Sequence, residues 1–524
     1  MSAENPLPSH EAGASANAGP PSAEPQEEGR EVAAAAAGRT PLDRAADAAE
    51  ELYRLRDTFF PRDPAEKTAA LRAHSHAALA HLDALPLEQR KSPQQRGLYE
   101  FLRGKILDVF PDYHKEAEDH LSKAVKLNPS LVDAWLCLGN CIWKKGDLAA
   151  AKNCFLLALS KGTNRKILCQ LSMLERSMAQ GSEDQALLVE ESIKHAKEAV
   201  MLDITDGNSW YNLGNAYLIS FFVGGSWDHT KLHHSVKAYQ NAEKDKTMIL
   251  NPDLYYNFAT ADRYLENYER ALCGFEAAAL KDPGLGADTE VQKIISLLDK
   301  IENAMKGQLH SKRLASLVSS LSNVKVKTSH KKATIRILSE GLNKGVAVLG
   351  KIVLLIKHDN VAPLYYLTCD LDQSYFILSV YGLRNDAIKE GDRVVLFEPY
   401  YRILDTSWKE KDERRPSSPT SCVSDNHGGG SSSFAERFND CFLRLRDAMA
   451  ELVDLRHKRV RLRAENLQLS LFLTELEAEQ SKHSGLRYQF KSIRVDFPEQ
   501  ILINEKDPAP HYVVRASIHA HNKP

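Results

Sequence analysis

The 524-residue sequence has no run of about 18 apolar residues, so no segment reads as a membrane-spanning helix. Its eight cysteines form no CxxC pair and no cluster with histidine at zinc spacing, and they read as reduced, mostly buried thiols. The phosphate-cradling GxxxxGK[ST], the zinc-protease HExxH and the hydrolase GxSxG are all missing. The nineteen histidines are scattered: His74, His76, His233 and His234 fall on helix surfaces, and His519 with His521 makes only a weak metal-like pair. No catalytic residue, metal or other cofactor is expected, and the chain is not read as an enzyme. Charge of one sign is also lacking. With 68 Lys and Arg against 70 Asp and Glu, the net charge is -2, which excludes a generally basic nucleic-acid coat and an acidic solvating tail.

What is present is apolar material, 43% of the chain, and a length that suits three or four folded units at roughly 150 residues each. The first forty residues are rich in Ala, Pro, Glu and Gly and read as a disordered tail over 1–41. Glu24, Glu27, Glu28 and Glu31 argue against a transit peptide, so the tail is taken as untargeted.

From Leu42 to about residue 305 the informative feature is self-similarity. The stretch AWLCLGNCIWKKGDLAAAKNCFLLAL places Trp135, Leu138, Gly139, Ala151, Phe155 and Ala158 at the spacing of a tetratricopeptide (TPR) unit. SWYNLGNAYL repeats it with Trp210, Leu213, Gly214 and Tyr217, its second helix resuming at Tyr239 and Ala242. A third copy gives Tyr255, Phe258, Ala259, Ala271, Phe275, Ala278 and Pro283, and a weaker one Ala117, Ala124 and Pro129. Small residues such as Gly139 and Ala151 let two helices approach closely, large ones fill the gaps, and Pro129, Pro252 and Pro283 stop the second helix. The expectation is an α-solenoid of about five or six TPR helix pairs over 42–305, with TEVQKIISLLDKIENAMKG as a cap.

The first helix of each pair lines the inner wall of such an array. Inward positions fall at Asp133, Asn140, Lys144, Arg176, Asn212, Asn215, Asp253, Asn257 and Arg263. Amides can pair with the backbone of an extended peptide, and separated opposite charges can read a mixed-charge sequence.

After a basic linker at 306–333 the period turns strand-like. Five runs rich in Val, Ile, Phe and Tyr, over 334–409 and 486–516, suit a small five-stranded OB-type β-barrel, which makes the chain a multi-domain α + β protein. On such a barrel Tyr365, Tyr366, Tyr375, Phe376, Tyr400 and Tyr401 are candidate stacking platforms for single-stranded nucleic acid, with Lys351, Lys357, Arg393 and Arg402 near the phosphates. The fourth and fifth strands are interrupted by a low-complexity loop at 410–433 and a heptad helix at 434–482. Its seam from Phe438 to Leu476, with polar Arg459 and Asn466, is a coiled-coil signal and a candidate dimer contact over 438–476. A tail follows at 517–524.

With a TPR array, a basic linker and an OB-like barrel, the strings LSKAVKLNPSLVDAW, WKKGDLAAA, DGNSWYNLGNAYL, NPDLYYN and FKSIRV in that order resemble the Strap family, tetratricopeptide repeat protein 5. The resemblance covers about 45–408 and 486–505. It implies a cytoplasmic and nuclear adaptor. In the cytoplasm it would bind the N-terminal peptide of nascent tubulin at the ribosome and trigger tubulin mRNA decay. In the nucleus it would scaffold acetyltransferase coactivator complexes in the stress and DNA-damage response. By the same resemblance Arg176 and Asp253 are peptide-reading residues, and Lys123 and Lys126 a ribosome contact. A further groove acid of the family is replaced by Ala287, with Asp288 and Glu290 close by. The alternative is a nucleic-acid-binding transcription cofactor acting through the OB fold.

Overall fold

A computed structural model describes residues 40–86, 91–226, 228–307, 311–324, 326, 329–360, 362–408 and 486–514. The expected N-terminal tail up to residue 39, the loop at 410–433, the heptad helix at 434–482 and the tail at 517–524 lie outside the described residues. The chain divides into two compact units, Met1–Leu174 and Glu175–Pro524.

The first unit is built of helical hairpins: α1 (Pro41–Thr58) with α2 (Pro64–Asp83), α3 (Pro93–Leu107) with α4 (Lys115–Leu127), and α5 (Val132–Lys144) with α6 (Leu148–Lys161). Local chemistry marks their starts. Thr40 and Asp43 form a reciprocal capping box on α1, and Asp63 caps α2 with Pro64 in its first turn. Within the third hairpin a Cβ on Gly139 would lie 2.4 Å from Phe155 Cε1, so the hairpin closes only because that position has no side chain. The second hairpin carries a polar bolt, His120 Nδ1 to Glu100 Oε2 at 2.5 Å.

In the second unit α7 (Arg165–Met178), most of which precedes the unit boundary, leads to α8 (Gln185–Leu202). Then come α9 (Gly207–Val223) with α10 (His229–Ala242), α11 (Pro252–Tyr264) with α12 (Tyr268–Lys281), α13 (Ala287–Lys306) and α14 (Ser311–Ser319). Gly214 lies under Tyr239 as Gly139 lies under Phe155, with a Cβ there 2.5 Å from Tyr239 Cε1. Glu175 and His195 repeat the bolt at 2.8 Å, again twenty residues apart in sequence.

Three sequence expectations are corrected. The second helix after α9 begins at His229 rather than near Tyr239: Asp228 caps it by accepting from Thr230 N at 3.0 Å, and its polar start HTKLHH hides a period carried by buried Leu232 and Ser235. Pro252 opens a helix instead of ending one, at the first-turn position where its missing N–H is harmless. The linker at 306–333 contains α14, whose Leu314 and Val318 are buried in the same core as α12 and α13.

The sheet contains β1 (Lys331–Ala333), β2 (Gly341–Leu342), β3 (Val346–Ile356), β4 (Leu364–Asp370), β5 (Tyr375–Val380), β6 (Arg393–Phe397), β7 (Tyr400–Trp408), β8 (Leu486–Val495) and β9 (Ile501–Ile503). The strands run β2-β7-β8-β5-β4-β3-β6-β9, with β1 parallel to β3. The run GDRVVLFEPYYRIL, expected as one strand, bends at Glu398 and Pro399 into β6, which pairs with β3, and β7, which pairs with β8, so the chain changes neighbours at that corner. β7 and β8 stay paired out to Trp408 opposite Leu486, so the two ends of the interrupting segment meet at one ladder rung.

The barrel and the last helices share one core. Val348, Ile352, Tyr366, Phe376, Leu378 and Val394 fill the barrel interior. The other faces of β4, β5, β7 and β8, carrying Tyr365, Leu367, Tyr375, Ile377, Leu404 and Phe490, pack with α12, α13 and α14. At this junction the C-terminus of α11 meets two guanidinium groups. Arg494 donates to Tyr264 O and Arg402 to Leu265 O, both at 2.9 Å, and both pair with the fully buried Glu266 carboxylate. Burial, with the neighbouring Arg494 guanidinium, pushes Arg402 down to about 9, which leaves it cationic at neutral pH.

Three outcomes are expected. Glu266→Ala leaves the buried Arg402 without its anion and Arg494 with Asp496 alone, and should cost about 3 to 5 kcal/mol; calorimetry of the full chain will show a lowered melting midpoint, and an unchanged one would remove Glu266 from this role. Joining Trp408 to Leu486 by a short turn should preserve the barrel, checked by circular dichroism and limited proteolysis, whereas loss of the β signal would contradict the observed pairing. His195 has its pKa raised by the hydrogen bond to Glu175, with burial opposing. A raised folded pKa adds stability below the unfolded value of about 6.5 that is lost as pH rises through the folded value. The melting deficit of His195→Gln relative to wild type should therefore shrink from pH 6 to pH 8.5, and a constant deficit would rule the ion pair out.

Candidate peptide-binding groove

The groove residues of the second unit sit on the first helices of successive hairpins: Arg176 on α7, Asn212 and Asn215 on α9, Asp253 and Asn257 on α11. Hydrogen bonds hold four of them in two sets, Arg176 with Asn212 and Asn215 with Asn257. Arg176 donates through Nη1 to Ser192 Oγ at 3.0 Å and through Nη2 to Asn212 Oδ1 at 2.7 Å. Asn215 Oδ1 accepts from the Tyr239 hydroxyl at 2.7 Å and from Asn257 Nδ2 at 3.2 Å, and Asn257 Nδ2 also reaches the Tyr211 hydroxyl at 3.1 Å.

Arg176 and Asp253 lie within electrostatic reach of one group. The Tyr211 hydroxyl is pushed up to about 12, by burial first and then by the Asp253 carboxylate, while Arg176 pulls the other way. The two side chains differ in exposure. Asp253 is exposed in the first turn of α11, where Asn251 caps the helix by accepting from Asp253 N at 2.9 Å. Arg176 is only 8% exposed and acts as a strut between α7, α8 and α9. Its guanidinium is held at that low exposure by Ser192 and Asn212. Asn212 is also buried, and its Nδ2 has no hydrogen-bond partner among the described residues.

The remaining inward positions are less available. Arg263 pairs with Glu290, which Lys293 also holds at 2.7 Å; burial works against the Glu290 carboxylate, yet these cations keep it below its ordinary range. Glu290 is therefore neutralised within the fold, Ala287 is fully buried, and Asp288 alone of the three is an exposed acid. In the first unit Asn140 is half-buried and Asp133 exposed on α5, and Lys144 donates to Asp108 O at 2.5 Å and Phe110 O at 2.8 Å beyond the end of α3. Lys123 and Lys126 are exposed on α4, whose buried face is Ala117, Leu121, Ala124 and Val125. Sequence reasoning missed Ser192, Tyr211 and the Tyr239 hydroxyl, the groups that orient the amides; Tyr211, adjoining Asn212, was the one with a visible signal.

The barrel's aromatic residues do not form a stacking platform. Tyr365, Tyr366, Tyr375, Phe376 and Tyr401 are all buried, and of the six proposed only Tyr400 is exposed, at 42%. The β4–β5 face that an OB fold offers to single strands is covered by the chain's own helices, where Tyr365 and Tyr268 share a hydroxyl–hydroxyl hydrogen bond. Arg402 is held by Glu266, while Lys357 is exposed and Lys351 and Arg393 are half-buried.

No described helix is long and apolar enough to cross a membrane, and no described group of three or more His, Cys, Asp or Glu is placed to hold a metal ion. Cys141, Cys154, Cys169 and Cys369 are buried, and burial raises Cys141 and Cys369 to about 12 and Cys154 to about 11; Cys273 is exposed.

Residues 329–417 match the family model for the tetratricopeptide repeat protein 5 OB fold domain. Tetratricopeptide repeat protein 5 of Homo sapiens is 34% identical over 396 residues, 71% of this chain and 89% of its own length. The Mus musculus protein is 35% identical over 388 residues, 69% of this chain and 87% of its own. A solved TPR protein, YrrB, described as having an unusual peptide-binding site, aligns with 39% of this chain and 94% of its own at 19% identity and a TM-score of 0.28. TPR scaffolds of this kind are typically non-catalytic, and the helical repeats joined to an OB fold make this chain a TPR-based adaptor for other proteins. The chain belongs to the tetratricopeptide repeat protein 5 family.

Proposed function

We propose that the Arg176–Asn212–Asn215–Asn257–Asp253 face binds a short extended peptide of a partner polypeptide, and that the chain carries out no reaction of its own. The observation that carries this reading is the pair of hydrogen-bonded amide sets on α9 and α11, with a seated cation and an exposed anion that both act on Tyr211. Side-chain amides pair with the peptide backbone of an extended chain. Asp253 pairs with a peptide cation or amino terminus, strengthened by its charge. Arg176 fixes Asn212 and lends its positive field to an acidic peptide side chain. The unpartnered Asn212 Nδ2 is a buried donor whose orphan state costs about 1 to 3 kcal/mol, a penalty that a peptide carbonyl would relieve.

The partner this reading favours is the N-terminal peptide of nascent tubulin at the ribosome, with tubulin mRNA decay as the outcome. Exposed Lys123 and Lys126 supply the contact to the ribosome. In the nucleus the same face would hold peptide segments of acetyltransferase coactivator complexes during the stress and DNA-damage response, which places the chain in both cytoplasm and nucleus.

Calorimetric titration of the full chain with a tubulin N-terminal peptide tests this. Asp253→Asn should lose about 1.5 to 3 kcal/mol of binding, Arg176→Lys should lose less than Arg176→Ala, and a scrambled peptide should not bind. Equal affinity for native and scrambled peptide, or no loss with Asp253→Asn, would overturn the assignment.

A further inference from the structure

The last helical hairpin carries a second concavity that shares no residue with the groove. It has a volume of about 470 Å³ and lies between the end of α10, α11 and α12. Small residues form its floor: Gly274 lets α12 approach α11 closely, a Cβ there coming within 2.8 Å of the Ala259 Cβ, and Ala277 and Ala259 also line the cleft. Tyr255 and Phe258 supply aromatic walls. The polar lining is unbalanced, with Glu243, Asp262 and Glu269 against one cation, Arg270. That guanidinium is committed: it lies 4.7 Å over the Phe258 ring and its Nε is 3.3 Å from Asp262 Oδ2. Lys281 lies 4.6 Å over the Tyr255 ring, so both aromatic walls are already used to seat cations. Burial raises the carboxyl pKa of both Glu243 and Asp262, opposed by Arg270 at Glu243 and by the Asn267 hydrogen bond and Arg270 at Asp262.

A concavity with apolar walls and more carboxylates than cations in its lining matches a group with an aliphatic stem and a cationic tip. We infer that this cleft is a second docking site, taking a basic side chain, an arginine in the first instance, from a segment of a partner polypeptide. Arginine fits better than lysine because its planar fork can meet two rim carboxylates, Glu243 and Glu269, at once. The site is independent of the peptide groove and of Asp253.

Exposed Cys273 lines the cleft and reports its occupancy. The test measures the alkylation rate of Cys273 by peptide mapping of the full chain, with and without the probe acetyl-Gly-Arg-Gly-Arg-Gly-amide. The arginine peptide should slow alkylation severalfold, and its citrulline counterpart, an uncharged isostere, should not. Protection should vanish in Glu243→Gln/Glu269→Gln and persist in Asp253→Asn, so that failure here is distinguishable from failure of the groove. An unchanged rate at saturating probe, equal protection by the citrulline peptide, or protection lost in Asp253→Asn but kept in the rim variant would overturn the proposal. Equal protection by spermidine would overturn the polypeptide assignment.

Discussion

Two guanidinium groups meet one carboxylate at the C-terminal end of α11. A buried ion pair is a weak source of stability unless further hydrogen bonds satisfy its members, because removing charges from water costs several kcal/mol per ion. Here the extra bonds are supplied by the helix itself: Arg494 and Arg402 take the carbonyls of Tyr264 and Leu265, groups that a helix end leaves unpaired. Glu266 holds a left-handed backbone conformation at φ 57°, uncommon for a non-glycine residue, and the surrounding contacts enforce it. Arg494 further stacks over Tyr381, 4.1 Å from its ring centroid, whose hydroxyl also donates to Tyr264 O at 2.7 Å. The contact is polar, directional and enclosed in apolar surface, so it fixes an orientation as well as a proximity.

That orientation has a consequence for binding. α11 carries Asp253 and Asn257 towards its N-terminal end and is clamped by the barrel at its C-terminal end. The OB fold in this chain therefore serves as a buttress for the last helical hairpins, and the surface by which such folds commonly read single strands is spent on that task. Preorganisation of this kind favours recognition of an extended peptide, since the ordering of the receptor's side chains is accomplished before the ligand arrives. Arg176 follows the same logic two hairpins earlier, as a buried strut that orients Asn212.

Much of the fold was legible in the sequence, and the reasons are local. Gly139 and Gly214 stand where a large partner side chain, Phe155 or Tyr239, leaves no room for a Cβ, so the repeat signature is a direct record of helix contact. β4 and β5 carried a signal that was misread. LYYLTCD and YFILSV lack the alternation of apolar and polar residues expected of a one-sided sheet, and both strands are buried on nearly every residue. Tyrosines that look like platforms in a list of strand aromatics are core residues for that reason. The twenty-residue separation of Glu100 from His120 and of Glu175 from His195 was equally visible, but it acquires meaning only when both pairs are seen to span a hairpin.

The sequence by itself determined the helical repeat, the switch to a β-barrel and the helix faces that carry the groove residues, because each is written in a short-range period that packing must obey. Only the tertiary structure decided how exposed each groove residue is, that Glu290 is spent on Arg263 and Lys293, and that Glu266 joins repeat to barrel. These depend on contacts between residues distant in sequence, such as Glu266 with Arg402 and Arg494, and no local period records which charge finds which partner.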